Sequence, residues 1–311
     1  MTNATLHSQF GLTKDGKPLE IPVASLCEMG QGTNIKADPL FVHSSDEVKK
    51  FLVARKLEKN LWIWGPAGTG KTKSCEQVAA GLNCPATVIS FGEETSLRDL
   101  IGGKVLSKGE TPWQDGALTI AMRTPNMFIV LDEVNMASPG VIAKMNQLLQ
   151  EREIVIHETG EVVKCAKGVM IIATANTSGG SDESGMFAGS QTQNAATRSR
   201  FVGLKMPHKS PEIEQQILLK RMPQLDTVFP PIEDVQVSAL MVKVGNGLRA
   251  AIDDGQIGMA FSIRQLINWV ECATAFQNIA EGFKMAYLDM LPDSEAMTAS
   301  EIFKTTTGMD L

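Results

Sequence analysis

The chain has 311 residues, 43% of them hydrophobic, and a formal charge of −6, enough for one large or two modest domains with a true core. The acidic balance gives no global attraction to nucleic acid or to an anionic membrane. No apolar stretch reaches membrane-spanning length, and Met1 to Gln9 lacks the basic and apolar regions of a signal peptide, so the expected location is cytoplasmic with no membrane partner.

Residues 1–44 mix Gly, Pro and polar residues with short apolar pieces and are expected to form an irregular segment packed on the domain C-terminal to it. Ser44-Ser45-Asp46-Glu47 then supplies capping chemistry ahead of Val48, Phe51, Leu52 and Leu57, which predicts a helix leading into the first core strand. Cys27, Cys75, Cys84, Cys165 and Cys272 are odd in number, widely spaced and never C-x-x-C, which suits reduced, buried structural thiols. His7, His43, His157 and His208 show no ligand spacing, so no protein-bound transition metal is indicated.

The apolar run Leu61-Trp62-Ile63-Trp64 ends in Gly65-Pro66-Ala67-Gly68-Thr69-Gly70-Lys71-Thr72, and a helical pattern comes next. All fixed positions of G-x-x-x-x-G-K-[ST] are present. A strand ending in a glycine-rich turn can wrap backbone N–H groups around a polyphosphate while the new helix directs its positive end at the same charge. On this reading Gly65, Pro66, Ala67, Gly68, Thr69, Gly70, Lys71 and Thr72 bind the nucleotide, Lys71 reaches the β/γ-phosphates and the Thr72 hydroxyl ligates Mg²⁺.

Further short apolar runs at Thr87–Phe91, Met127–Leu131, Val169–Ala175 and Phe201–Met206, separated by helical patterns or long connections, predict an α/β fold with a parallel sheet covered on both faces. Asp132-Glu133 ends the third run, about sixty residues after the loop. Two adjacent acids at a strand end also suit a solvated turn. Beside a phosphate loop they suit a magnesium-assisted hydrolase, with Asp132 holding the Mg²⁺ shell and Glu133 orienting and deprotonating the attacking water.

Ser138 and Pro139 are a fitting N-cap and first helical residue, and Val141, Met145, Leu148 and Leu149 mark the buried face of that helix. Glu153 to Cys165 alternates around Thr159-Gly160 and predicts a hairpin. Asn176, at the end of the fourth run, is placed to position water beside the acidic tip, although an Asn after a strand is usually a turn residue. Arg198, Arg200 and Arg264 are candidates for neutralising a transferring γ-phosphate, a role that position alone does not separate from an ordinary surface arginine. After Pro207 the pattern turns helical at Glu212–Arg221, Val237–Ala251 and Ser262–Met290, which predicts a second, helical domain.

From about Ser45 to about Ile279 the chain resembles an AAA+ ATPase of the MoxR-like branch, which includes the ATPase subunit of aerobic cobaltochelatase. The resemblance rests on the Gly65–Thr72 loop, Leu131-Asp132-Glu133-Val134-Asn135 and Ala173-Thr174-Ala175-Asn176-Thr177. Gly185-Met186-Phe187-Ala188-Gly189-Ser190-Gln191 and Ser262-Ile263-Arg264-Gln265-Leu266-Ile267-Asn268-Trp269 look particularly like the cobaltochelatase subunit, and Asp99 to Leu118 looks like the branch's insertion, which in the family faces the ring centre. The resemblance implies a five-stranded parallel sheet of order 5-1-4-3-2 flanked by helices, with an AAA+ domain over 45–207 and an all-α lid over 208–311. It implies ATP and Mg²⁺ as cofactors, Asn176 as the sensor-1 residue, Arg264 as the sensor-2 arginine and Arg200 as the finger delivered to a neighbour's nucleotide. Arg198 is a second candidate finger, because the family usually has Asp-Arg-Phe where this chain has Ser199-Arg200-Phe201.

A finger acting in trans implies a homo-oligomer, a ring of six. The leading expectation is a chaperone-like motor that remodels a protein client or a von Willebrand factor A-type partner. The alternative is the motor of a metal chelatase that inserts a divalent ion into a tetrapyrrole. A nucleic-acid motor using Lys104 and Lys108 is weakened by the acidic total. Asn34-Ile35-Lys36-Ala37-Asp38 faintly resembles a guanine-reading motif but precedes the phosphate loop, the wrong order for a GTPase.

Overall fold

The computed structural model describes residues 4–92, 94–106, 109–178 and 195–311. The chain divides into two compact units: the first holds residues up to 38, 43–65 and 71–206, and the second holds 39–42, 66–70 and 207–311.

The first unit is built on β1 (Asn60–Trp64), β2 (Ala86–Ser90), β3 (Phe128–Asp132), β4 (Met170–Ala175) and β5 (Phe201–Lys205). They form one parallel sheet of order β5-β1-β4-β3-β2, the order implied by the family resemblance. Each run expected from the sequence lies within a residue of an observed strand, because a strand buried on both faces carries apolar side chains at nearly every position. Period-two alternation then divides them. Trp62, Ile129, Leu131, Ile171 and Ala173 join one apolar layer with Met122, Met145 and Leu148. Leu61, Ile63, Phe128, Val130 and Ile172 join the other with Phe51 of α1 (Ser45–Lys56) and Val78 of α2 (Lys71–Gly81).

The N-terminal segment is more regular than expected. Thr5 caps a short helix, Leu6–Phe10, with a capping box, and Phe10, Leu12 and Val23 are buried in the second layer. A Cβ at Gly81 would stand 2.4 Å from the Phe10 ring, so α2 accepts this segment only because it carries a glycine there. Asn34 brackets Ala86 at the start of β2, its Nδ2 donating to the carbonyl at 2.9 Å and its Oδ1 accepting the N–H at 2.8 Å. The fragment that resembles a guanine-reading motif is a strand clamp. Ser44 is the N-cap of α1 but makes no side-chain cap bond.

A short helix, Leu97–Ile101, runs into the Asp99–Leu118 stretch, which holds an antiparallel pair, Gly102–Lys104 with Trp113–Asp115. Lys104 is exposed there, and Lys108 lies outside the described residues. Ser138 caps α3 (Pro139–Glu151) by accepting the Val141 N–H. The predicted hairpin is Glu153–Ile156 paired with Glu161–Lys164. Cys27, Cys75 and Cys84 are buried, whereas Cys165 and Cys272 are only half-buried, and all five are free thiols.

The second unit is helical: α4 (Pro211–Arg221), α5 (Val237–Asp253), α6 (Ile263–Phe276), α7 (Ile279–Ala286) and α8 (Asp293–Thr307). The single helix expected over Ser262–Met290 is broken at Gln277, whose φ of 52° is left-handed; Asn278 then caps α7 by accepting from Ala280 and Glu281 N–H. A Cβ at Gly282 would fall 2.4 Å from the Ala273 nitrogen, so glycine lets α6 and α7 approach backbone to backbone. Trp269, Phe283 and Phe303 stack at the core, and Glu214 holds Arg249 through two 2.8 Å bonds, both residues buried. Among the described residues no helix is long and apolar enough to cross a membrane.

Candidate active site

Parallel pairing brings the strand ends to one edge: Trp64 pairs with Ala175, Leu131 with Ala173, and Ser90 with Asp132. Gly65, Asp132-Glu133 and Asn176 therefore emerge side by side, at the carboxyl edge where open α/β sheets bind ligands. Gly65 has no freedom to be another residue. Its φ is 154°, and a Cβ would stand 2.0 Å from the Met206 carbonyl oxygen. Gly68 and Gly70 also hold positive φ, 73° and 88°. Pro66–Gly70 belongs to the second unit, and within it a Cβ on Gly68 would press into Ser262, 2.1 Å from Oγ, with the Arg264 Cβ 3.9 Å away. The Thr69 hydroxyl donates to the Pro66 carbonyl at 3.0 Å and closes the turn.

Lys71 opens α2 and is only 8% exposed. Its Nζ donates to the Gly65 carbonyl at 2.8 Å and to Asn176 Oδ1 at 3.0 Å. The next residue, Thr72, donates from Oγ1 to Asp132 Oδ1 at 2.7 Å. The fold thus pairs Lys71 with Asn176 and Thr72 with Asp132, with Glu133 next in the chain and exposed.

Thr174 belongs to the same cluster, a placement the sequence alone does not reveal. It is 1% exposed in β4, donates from Oγ1 to Asp132 Oδ1 and accepts the Glu133 N–H at 3.3 Å. One hydroxyl thus holds the Asp132 carboxylate and the Glu133 backbone. Glu133 itself has a left-handed φ of 54°, a conformation that turns the chain out of β3. Below the loop, Cys75 donates to the Lys71 carbonyl at 3.2 Å; burial first and the Asp132 carboxylate second push its thiol well above the ordinary range, so it is no competing nucleophile.

Arg198 and Arg200 are placed elsewhere, whereas Arg264 stays beside Gly68 of the loop. Arg200 immediately precedes β5, where Phe201 pairs with Asn60, so it stands at the opposite end of the sheet from Gly65. Five residues at about 3.3 Å each put roughly 17 Å of strand between them. Its guanidinium donates to the Ala196 carbonyl and, at 2.8 Å, to Gln150 Oε1 of α3. Arg198 closes a short helix, Ala195–Arg198, and is exposed. Arg264 lies exposed in the first turn of α6, its N–H accepted by the N-cap Ser262 Oγ at 3.2 Å. Gly185–Gln191 lies outside the described residues.

The donor set fits magnesium. A threonine hydroxyl and a carboxylate oxygen 2.7 Å apart are hard oxygen ligands of the kind Mg²⁺ takes beside substrate phosphates.

The model of the AAA domain (dynein-related subfamily) matches residues 60–201, spanning β1 to the start of β5. The chain is 25% identical over 315 residues to the aerobic cobaltochelatase subunit CobS of a Sinorhizobium species, covering 100% of this chain and 92% of that one. It is 32% identical over 191 residues to protein NorQ of Paracoccus denitrificans, covering 61% of this chain and 68% of NorQ. A RuvB mutant structure from Thermotoga maritima overlaps 86% of this chain and 73% of its own at 15% identity and a TM-score of 0.48. With a phosphate loop, an acidic strand tip and an asparagine set on three adjacent strands, and with CobS and NorQ as relatives, the chain belongs to the AAA+ ATPases of the MoxR type.

Proposed function

We propose that this chain hydrolyses ATP with Mg²⁺ in a homo-oligomeric ring of six and uses the turnover to remodel or activate a partner protein, with residues 45–207 as the ATPase domain and 208–311 as its lid. The observation that carries the reading is the contact set of Lys71 with Asn176 and Thr72 with Asp132, which joins the phosphate loop to two other strand ends. Loop N–H groups and Lys71 hold the β- and γ-phosphates. Thr72 and Asp132 hold the Mg²⁺, which when bound offsets negative charge on the phosphate oxygens. Glu133 takes one proton from the attacking water as its oxygen bonds to the γ-phosphorus and the bond to the ADP oxygen breaks. Asn176, its Oδ1 engaged by Lys71, orients that water through its amide N–H groups.

The distance of Arg200 from its own Gly65 supports delivery of this guanidinium to a neighbour's nucleotide, with Arg198 as the second candidate and Arg264 as the lid's contribution. Mixing Arg200→Ala with Lys71→Ala subunits tests it: each variant alone is inactive, and hybrid rings recover turnover at interfaces that pair intact halves. Co-assembly without recovery contradicts the assignment, and recovery with Arg198→Ala in place of Arg200→Ala transfers the role. The partner class is a protein client or a von Willebrand factor A-type protein. A second reading, a chelatase motor, is favoured by similarity to CobS over the whole chain. Capture on an ATP-loaded Glu133→Gln ring separates them, since a large tetrapyrrole-binding subunit supports the chelatase and an adhesion-domain protein supports remodelling.

A further inference from the structure

At the end of the sheet opposite the phosphate loop, Lys59 leads into β1 and Gly168-Val169 leads into β4, and between them the first unit forms a cavity of about 440 Å³ that opens to solvent. Its volume falls in the range of small-molecule sites. Five of its lining side chains are cationic (Arg55, Lys56, Lys59, Arg152 and Lys167) against two anionic ones, Glu28 and Glu58, in a chain whose net charge is −6. Lys167 and Glu28 pair with each other at 3.1 Å on the surface. Among the described residues the other four cations have no carboxylate within ion-pair distance, although Glu58 shares the lining.

Arg55 is 8% exposed and lies over the Phe128 ring. It donates to the Glu28 carbonyl at 3.1 Å, the Gly168 carbonyl at 2.9 Å and Asn126 Oδ1 at 3.0 Å. Arg152 donates to the Val169 carbonyl. Every one of these acceptors is neutral, so the bonds fix both guanidiniums without cancelling their charge. Among the described residues neither arginine, nor Lys56 or Lys59, is paired with a carboxylate. A guanidinium has five N–H donors; Arg55 spends three on these oxygens and also contacts the Cys27 thiol, and Arg152 spends one. Arg55 is the one buried cation of the set; Arg152 is half-buried and Lys56 and Lys59 are exposed at the rim. The bonds of Arg55 have a structural role, but they do not account for a second guanidinium and two lysines converging on the same cavity.

We propose that this cavity binds a small multivalent oxyanion, a molecule with two or more phosphate or carboxylate groups, held by Arg55 and Arg152 with Lys56 and Lys59 at the mouth. The ligand sits between the N-terminal segment and the entries of β1 and β4, remote from the phosphate loop.

The test is isothermal titration of the full chain with pyrophosphate and with citrate, magnesium-free, at fixed ionic strength and with ADP saturating the phosphate loop. One saturable site is expected, weakened at least tenfold by Lys56→Glu with Lys59→Glu, lost in Arg152→Met and unchanged in Lys71→Ala. Both lysines are exposed, so the double variant keeps its fold, checked by an unchanged melting temperature without anion. Binding of pyrophosphate alone assigns phosphate chemistry, and binding of citrate alone assigns carboxylate chemistry. Absence of saturable binding by either anion overturns the proposal. So does an affinity that the lysine reversals leave unchanged, or binding that disappears in Lys71→Ala.

Discussion

Thr174→Val removes one oxygen from the floor of the active site and little else. Valine keeps the branched shape in a position that is 1% exposed, so β4 retains its packing. Two bonds are lost: the hydroxyl's donation to the Asp132 carboxylate, and its acceptance of the Glu133 N–H at 3.3 Å. A hydrogen bond to a charged group contributes about 1.5–3 kcal/mol, and an N–H left without an acceptor costs about 1–3 kcal/mol when buried. Asp132 keeps Thr72 as a donor, and Glu133 is exposed enough for water to replace part of the second loss, so the lower ends apply. We expect about 2.5 kcal/mol, which corresponds to roughly a 70-fold fall in kcat if both bonds persist in the transition state. KM for ATP should change little, because the Gly65–Lys71 loop is untouched. Steady-state phosphate release at saturating Mg²⁺ measures it, with Thr174→Ser restoring turnover to within a few-fold. A valine variant with wild-type kcat and melting temperature would refute the claim that this hydroxyl sets the two acids.

Gly65→Ala should abolish nucleotide binding while the helical unit stays folded, because its Cβ meets the Met206 carbonyl at 2.0 Å and must displace either the loop or the end of β5; a fluorescent ATP analogue reports the loss, and near-normal affinity would contradict the steric account. In the helical unit, Arg249→Met leaves Glu214 buried without its partner and should destabilise by about 3–5 kcal/mol. Adding Glu214→Leu should recover a substantial part of that loss in chemical denaturation, and strictly additive losses would show that the pair is not coupled. Arg249 also donates to the Phe261 carbonyl at 3.0 Å, next to the cap of α6, so the single variant should disturb the turn before Arg264 as well.

What the sequence disclosed depended on whether a feature is local. The strands of the sheet are runs of apolar residues with a polar or glycine residue at the tip, and Gly65, Asp132 and Asn176 could be set on strand ends from that pattern alone. Thr174 could not. A lone hydroxyl inside Met170–Ala175 reads as a β-branched core residue, and its role exists only because the Ala173–Leu131 register lays β4 beside β3. Asn278 carried a capping signal, but the apolar stripe runs on through Phe276, Ile279 and Phe283 and masked the break between α6 and α7. Helix α8 was missed for the opposite reason: its buried face is Ala299, Phe303 and Thr307, too sparse among serines and threonines to show a period. The Gly102–Lys104 and Trp113–Asp115 strands are three residues each, too short to alternate visibly. Spacing also treated Arg198 and Arg200 alike, whereas in the fold only Arg200 is tied to α3 through Gln150.

The central claim is that Glu133 deprotonates the attacking water in a site whose binding groups lie elsewhere, on the Gly65–Thr72 loop and Asp132. Glu133→Gln keeps the shape of the side chain and removes the base. ATP affinity and turnover measured on the same preparation of this variant test the claim most directly. ATP affinity should stay within a few-fold of the parent while turnover falls by two orders of magnitude or more, about the contribution of a general base. Turnover near the parent's at unchanged affinity would contradict it.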